Sequence, residues 1–174
     1  NPQFFYNQIK ANGIRFDKRR DIDFYVAPFG QYTNPLGVSA QNENVERFLL
    51  LPFFLKLFQQ PMCEQKYYCL LGDSGMGKST TFIHLYLKYA RTLLRKPYNI
   101  LISHLAKLSA LEQLNQVTQP NNTILLLDGF DEDVKARKNH KTRLDEIVEK
   151  TKDFYIVVIS SRTQFFGSQK EEPS

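Results

Sequence analysis

A glycine-rich stretch followed by a lysine and two hydroxyl side chains is the strongest chemical signal in the sequence. It reads Gly72-Asp73-Ser74-Gly75-Met76-Gly77-Lys78-Ser79-Thr80, which fits the pattern G-x-x-x-x-G-K-[ST]. Its glycines allow backbone N–H groups to form a concave anion nest, and a following helix directs its positive end at the phosphates. We expect Lys78 to bind the β- and γ-phosphates and the Ser79 hydroxyl to be a ligand of Mg²⁺. The stretch therefore predicts a nucleotide-binding phosphate loop.

A second group of chemically capable residues follows the apolar run Thr123 to Leu127. The chain continues there as Asp128-Gly129-Phe130-Asp131-Glu132-Asp133. A carboxylate at the carboxyl end of a parallel strand lies where ligands bind, so we expect Asp128 to hold Mg²⁺, largely through water. Hydrolysis also needs a group that orients the attacking water. Many ATPases have a glutamate directly after the metal aspartate, but Gly129 stands there, so Asp131 or Glu132 is the candidate. The alternative is a solvated acidic turn with Asp133 at a helix N-terminus.

The elements that must position these residues follow from the apolar patterning. From residue 66 onward, short apolar runs alternate with stretches of helical periodicity. The predicted strands are Tyr67 to Leu71, Asn99 to Leu105, Thr123 to Leu127 and Phe154 to Ile159. The predicted helices are Lys78 to Leu94, Ser109 to Val117 and Arg143 to Lys152. This alternation indicates an α/β fold in which a mainly parallel sheet lies between two helix layers.

The first third of the chain differs in pattern from the rest. We expect residues 1–65 to form an N-terminal linker segment with helices and extended stretches, and residues 66–174 to form the nucleotide-binding domain. Asn42 or Asn44 is a candidate cap for a helix that Pro52 kinks or divides and that Pro61 ends.

Three of these motifs together resemble the NACHT family of signal-transduction NTPases, which belongs to the STAND class. They are the phosphate loop, the strand end D-G-F-D-E, and the segment Val157-Val158-Ile159-Ser160-Ser161-Arg162. Glycine after the metal aspartate, with an acidic pair beyond it, is more diagnostic of that family than the phosphate loop is. The resemblance covers about residues 66–166. Within the family, the chain looks like a fragment of a bacterial NACHT protein.

The resemblance implies a fold, a ligand and a role. The sheet order would be 5-1-4-3-2 in a truncated three-layer P-loop NTPase domain that lacks its fifth strand. Arg162 would contact the γ-phosphate as a sensor, which suits the permanent charge and planar fork of arginine. The ligand would be ATP or ADP with Mg²⁺, and hydrolysis would be slow and regulatory. Nucleotide state would then control domain arrangement and self-oligomerisation. The resemblance also implies a role in immune or antiphage defence.

Composition limits the remaining function classes. The 174 residues carry 23 Lys and Arg against 18 Asp and Glu, which gives a net charge of +5, and 42% are hydrophobic. A disordered tail and a supercharged nucleic-acid arm are therefore excluded. The longest apolar run, Phe48 to Leu55, is far shorter than the roughly 20 residues of a membrane span. Cys63 and Cys69 form no metal-ligand pattern and favour a reducing cytoplasm. The chain begins at Asn1 without Met, so we expect a fragment of a longer protein.

Two other functions stay open at this stage. A DNA-handling or motor ATPase would use a basic stretch as its contact to nucleic acid, although a solvated protein face is the favoured interpretation. This basic stretch consists of Lys135, Arg137, Lys138, Lys141 and Arg143. The second alternative is an interaction scaffold that holds its nucleotide permanently and does not hydrolyse it.

Overall fold

The computed structural model describes residues 9–14, 27–31, 47–60, 65–91 and 97–166, together with Asn7. Ahead of residue 65, two short antiparallel strands, β1 (Phe29–Gln31) and β2 (Arg47–Leu49), precede helix α1 (Leu50–Leu57). From residue 67 onward the order is β3 (Tyr67–Leu71), α2 (Lys78–Arg91), β4 (Asn99–His104), α3 (Ala110–Leu114), β5 (Thr123–Asp128), α4 (Val134–Lys138), α5 (His140–Thr151) and β6 (Ile156–Ser161). The predicted alternation of strands and helices is confirmed.

Strands β3 to β6 form one parallel sheet in the order β3-β6-β5-β4. The register pairs Leu71 of β3 with Ser161 of β6, and His104 of β4 with Asp128 of β5. All four strands therefore end at the same edge of the sheet, which we call the carboxyl edge. Residues that follow these strands are brought together there, as in other parallel sheets.

Both faces of this sheet are covered. In β5 and β6, even-numbered residues such as Leu126 and Val158 belong to a hydrophobic cluster with α1 and α2. Odd-numbered residues such as Leu125 and Val157 belong to a second cluster with α3, α4 and α5. Because successive side chains of a strand point to opposite faces, the helices form one layer on each side. The α/β class with a mainly parallel sheet is confirmed.

The helix predicted from Asn42 or Asn44 is wrong at its beginning. Residues 41–46 lie outside the described residues, residues 47–49 form β2, and the helix begins only at Leu50. Pairing of β2 with β1 determines the conformation of residues 47–49 and overrides their helical periodicity. Pro52 is the third residue of α1, where the N–H group that proline lacks would have no intrahelical partner. It therefore neither kinks nor divides the helix, and Pro61 lies outside the described residues.

Helix α1 packs on the α/β unit. Phe58, directly after α1, lies edge-on to Tyr89 of α2, and Phe54 lies edge-on to Tyr68 of β3, with ring centroids 5.8 and 6.3 Å apart. Both phenylalanines are buried. The described part of the predicted linker therefore contributes to the hydrophobic core shared with β3 and α2.

The helix predicted over Arg143 to Lys152 begins three residues earlier, at His140. The side chain of Asn139 accepts a hydrogen bond from the Thr142 N–H at 3.0 Å and caps this helix. The prediction also missed α4, which the Asp133 side chain caps. Only Ala136 of α4 is buried. This short basic helix therefore lacks the repeating apolar positions by which a helix is predicted from sequence.

The described residues contain no helix that is both long and apolar enough to cross a bilayer. Cys69 of β3 is a free cysteine, and Cys63 lies outside the described residues.

Candidate functional site

The predicted phosphate loop, residues 72–80, joins β3 to the first turn of α2 at the carboxyl edge. Gly75 and Gly77 have left-handed backbone conformations, with φ of 81° and 77°, which glycine adopts without strain. A Cβ atom at either position would meet no described atom within 4 Å. The surrounding loop positions Asp73, Ser74 and Met76 are exposed, Gly72 is half-buried, and Ser79 and Thr80 belong to the first turn of α2. Such left-handed glycines are the backbone element from which anion nests are built.

The Lys78 side chain turns back over this loop. Its Nζ donates hydrogen bonds to the carbonyl oxygens of the two residues that follow β3, at 2.6 and 2.9 Å. Burial lowers the pKa of Lys78, the charge of Asp131 opposes that effect most strongly, and Arg162 and Asp128 also contribute. The ammonium group is therefore within electrostatic reach of charged residues at the ends of β5 and β6.

Asp128, the last residue of β5, is almost fully buried at 1% exposure. Its Oδ1 accepts a hydrogen bond from the Ser160 hydroxyl at 2.5 Å, and that hydroxyl accepts one from the Gly129 N–H at 2.9 Å. Among the described side chains, Oδ2 of Asp128 is the one buried oxygen without a hydrogen-bond partner. Burying a carboxylate oxygen without a partner costs folding free energy, unless a cation or a hydrogen-bond donor binds to it.

The residues around this oxygen fit a magnesium ion. Ser79 and Asp128 line the same cavity, which has a volume of about 540 Å³. A hydroxyl and a carboxylate are ligands that Mg²⁺ accepts, and the ion keeps several waters in such sites. The described residues contain no group of three or more His, Cys, Asp and Glu that could hold a metal. A magnesium ion here would therefore depend on these two side chains, on phosphate oxygens and on water.

Asp131 and Arg162 form an ion pair across the loops that follow β5 and β6. Nε of Arg162 lies 2.8 Å from Oδ2 of Asp131, and the Arg162 backbone N–H donates to Oδ1 at 3.1 Å. The aspartate is 7% exposed, whereas the arginine side chain is half exposed. Both oxygens of Asp131 are therefore engaged by the residue that was predicted to sense the terminal phosphate.

Glu132 has a different environment from its neighbour. Its side chain is 48% exposed and lines the cavity of Ser79 and Asp128. Its Oε2 lies 3.6 Å from Nε2 of His104, the last residue of β4. The structure thus separates the two acidic candidates, with Asp131 bound to an arginine and Glu132 facing the cavity.

The third acidic residue of the run, Asp133, belongs to the scaffold. Its Oδ1 accepts the Lys135 N–H at 2.8 Å, and its Oδ2 lies 2.7 Å from Nε of Arg143. Asp133 and Arg143 are each only 4% exposed, and Nη1 of the arginine also bonds to Glu146 at 2.6 Å. The proximity of Asp133 to a helix N-terminus was predicted, and its ion pair was not.

Three of the five residues of the basic stretch have partners within the protein. Arg143 is buried against Asp133, so its predicted place on a solvated face is wrong. Nε of Arg137 donates to the Asp131 carbonyl oxygen at 2.8 Å, and Lys135 pairs with Glu146 at 3.3 Å. These contacts reduce the cationic surface that a nucleic acid would need.

Two residues of the site were not assigned a role from the sequence. Ser160 belongs to the quoted S-S-R segment, and its place directly before the carboxyl end of β6 was the available signal. His104 ends a predicted strand of the same parallel sheet, so its arrival at the carboxyl edge could have been inferred from topology. Its contact with Glu132 could not, because it depends on side-chain placement.

No protein-family model, no curated protein and no solved structure gives a significant match to this chain. The interpretation of the site therefore depends on its residues and their geometry.

Proposed function

We propose that this chain is the nucleotide-binding module of a NACHT-type ATPase, which binds ATP with Mg²⁺, hydrolyses it slowly and acts as a switch. The observation that carries the proposal is the placement of Lys78, Asp128 and Arg162 at the carboxyl edge of one parallel sheet, after β3, at the end of β5 and directly after β6. The strand order, in which β6 lies between β3 and β5, further supports it. The choice of ATP over GTP depends on the family resemblance, since no N-K-x-D pattern follows β5.

Lys78 and the left-handed glycines Gly75 and Gly77 bind the phosphates in this proposal. Exposure of the loop at residues 73–76 leaves its backbone accessible to a ligand. The lysine, now bonded to two loop carbonyls, would exchange those bonds for phosphate oxygens, which are stronger acceptors because they are charged. Such an exchange requires only a side-chain movement.

Ser79 and Asp128 would hold the magnesium ion, which supplies charge neutralisation of the phosphate oxygens when it is bound. Ser160 fixes the Asp128 carboxylate through Oδ1 and leaves Oδ2 for a ligand. Because the aspartate is fully buried, its orientation does not depend on solvent. The hydroxyl of Ser160 is therefore the positioning group of this carboxylate.

Glu132 is the residue that orients the attacking water, and Asp131 is not. The glutamate lines the cavity with Ser79 and Asp128 and is half exposed, so a water can reach it. Asp131 instead restrains Arg162, and this pair supplies a mechanism for the switch. A terminal phosphate competes with Asp131 for the guanidinium, because both are anions that match its planar fork.

The proposal is tested by nucleotide binding and by hydrolysis measured separately. Lys78→Ala should lower ATP affinity at least about tenfold, because a charge-assisted contact to phosphate is lost. The matched control is Lys88→Ala, an exposed lysine of the same helix, which should bind ATP as the wild type does. Equal ATP affinity of Lys78→Ala and wild type would overturn the proposal.

Hydrolysis distinguishes the switch from its alternatives. Glu132→Gln should keep ATP affinity and lower the single-turnover hydrolysis rate about 100-fold, to a residual rate that is still measurable, whereas Glu149→Gln, an exposed change near the end of α5, should hydrolyse normally. Tight binding without any hydrolysis in the wild type would instead indicate a nucleotide-locked scaffold. Hydrolysis that DNA stimulates, with a steep decrease at higher salt, would indicate a DNA-handling ATPase.

Self-oligomerisation of the full-length protein in its ATP-bound form is the remaining part of this proposal. It derives from the NACHT resemblance, as does a role in immune or antiphage defence.

A further inference from the structure

His104 stands on a rigid part of the backbone beside the proposed site. It ends β4 and pairs with Asp128 in the strand register. Its N–H donates to the Asn12 carbonyl oxygen at 3.1 Å, and its own carbonyl accepts the Lys107 N–H at 3.1 Å. The side chain is 16% exposed and lines the cavity that Glu132 also lines. Hydrogen bonds therefore hold the backbone that carries the imidazole, and the ring forms part of the cavity wall.

A hydrogen bond to one ring nitrogen of His104 determines which nitrogen carries the proton. Nδ1 accepts the Ala106 N–H at 3.1 Å, so the neutral ring carries its proton on Nε2. That Nε2 donor lies 3.6 Å from Oε2 of Glu132. The separation is longer than a direct hydrogen bond, and a small rotation of the half-exposed glutamate or one bridging water closes it. The ring thus presents a donor to the carboxylate that faces the cavity.

The His104 ring also explains why a glycine, Gly129, directly follows Asp128, the proposed magnesium ligand. Gly129 has a φ of 76°, and a Cβ atom there would lie 2.9 Å from Cε1 and 3.2 Å from Nε2 of His104. The imidazole therefore occupies the space beside the α-carbon where many ATPases have a glutamate. With that space filled, a water-orienting carboxylate must come from further along the chain, and Glu132 is in reach of the ring.

We infer that His104 is a positioning residue that holds the Glu132 carboxylate toward the cavity through its Nε2 donor. This inference rests on the proposed function, in which Glu132 orients the water. His104 acts through the glutamate and contacts neither the phosphates nor the metal in this assignment. It should therefore affect turnover and not nucleotide affinity.

The test compares two substitutions of the histidine in the 174-residue chain by single-turnover ATP hydrolysis and equilibrium ATP binding. His104→Leu removes the donor and should lower the hydrolysis rate about tenfold or more, with ATP affinity within about threefold of wild type. His104→Gln keeps an N–H donor at similar reach and should recover most of the rate. If His104→Leu fails to fold, His104→Asn replaces it, because its amide is too short to reach Glu132.

A double-mutant cycle with Glu132→Gln distinguishes positioning from a general structural effect. If the histidine acts through the glutamate, His104→Leu should slow hydrolysis in the wild-type background and have no further effect in Glu132→Gln. Equal fold-losses from the residual rates in both backgrounds would overturn the inference, as would a normal rate in His104→Leu while Glu132→Gln is slowed. A wild-type chain that does not bind ATP would overturn the proposed function as well.

Discussion

The buried ion pair of Asp133 and Arg143 leads to a quantitative prediction about folding stability. The two side chains are 2.7 Å apart and each is 4% exposed. Asp133 additionally caps α4 by accepting the Lys135 N–H. We predict that Asp133→Ala strongly destabilises the folded chain but leaves ATP binding intact, because the carboxylate is bonded to α4 and α5.

The size of the loss follows from what remains around the arginine. Removing one partner of a buried ion pair costs about 3–5 kcal/mol, and losing an N-cap costs about 1 kcal/mol. Glu146 still bonds to Nη1 of Arg143 at 2.6 Å and compensates part of its charge, so we expect a total near the lower end of the sum, about 4 kcal/mol. For a chain of this size that corresponds to a decrease in Tm of about 8–16 °C.

Thermal and urea unfolding followed by circular dichroism measure this difference. Asp145→Ala, an exposed change on α5, is the matched control and should unfold close to wild type. Adding Arg143→Met to Asp133→Ala should recover stability, because an apolar side chain replaces an unpaired buried charge. A Tm of Asp133→Ala within about 2 °C of wild type would refute the reasoning. So would loss of ATP binding at unchanged stability.

Three further predictions concern other parts of the same region. Gly129→Ala should lower the free energy of unfolding by about 1–3 kcal/mol, since it strains a left-handed residue and displaces His104; an unchanged Tm would contradict this. Phe130→Ala should cost about 3–5 kcal/mol by urea unfolding, because the ring is fully buried. The hydrogen bond from Arg143 lowers the pKa of Glu146 below its ordinary 4.5, so the glutamate stabilises the fold above pH 4.5. That contribution is lost as the pH falls through the lowered pKa, and the difference in unfolding free energy between wild type and Glu146→Gln should therefore disappear in acid.

Local sequence patterns were sufficient to predict structure where a residue's conformation depends on its neighbours in sequence. The run Tyr67 to Leu71 was predicted with its bounds, because five apolar residues that end at a glycine are too few for a typical helix and long enough for a strand. The phosphate loop likewise depends on glycines that are adjacent in sequence. Local patterns gave the wrong prediction at residues 47–49. A helix was expected there, but pairing with β1 makes these residues a strand.

The sequence by itself determined the α/β alternation, the glycine-rich turn between β3 and α2, and the acidic strand end. Only the tertiary structure decided which acidic residue pairs with Arg162, which one faces the cavity beside His104, and which one is buried against Arg143. Asp131, Glu132 and Asp133 are consecutive and chemically similar, so no local pattern can separate them. Their partners directly follow β6, end β4 and belong to α5, and parallel strands far apart in sequence meet only through the sheet register. Three neighbouring carboxylates acquire different surroundings because each side chain leaves the short turn after β5 in a different direction.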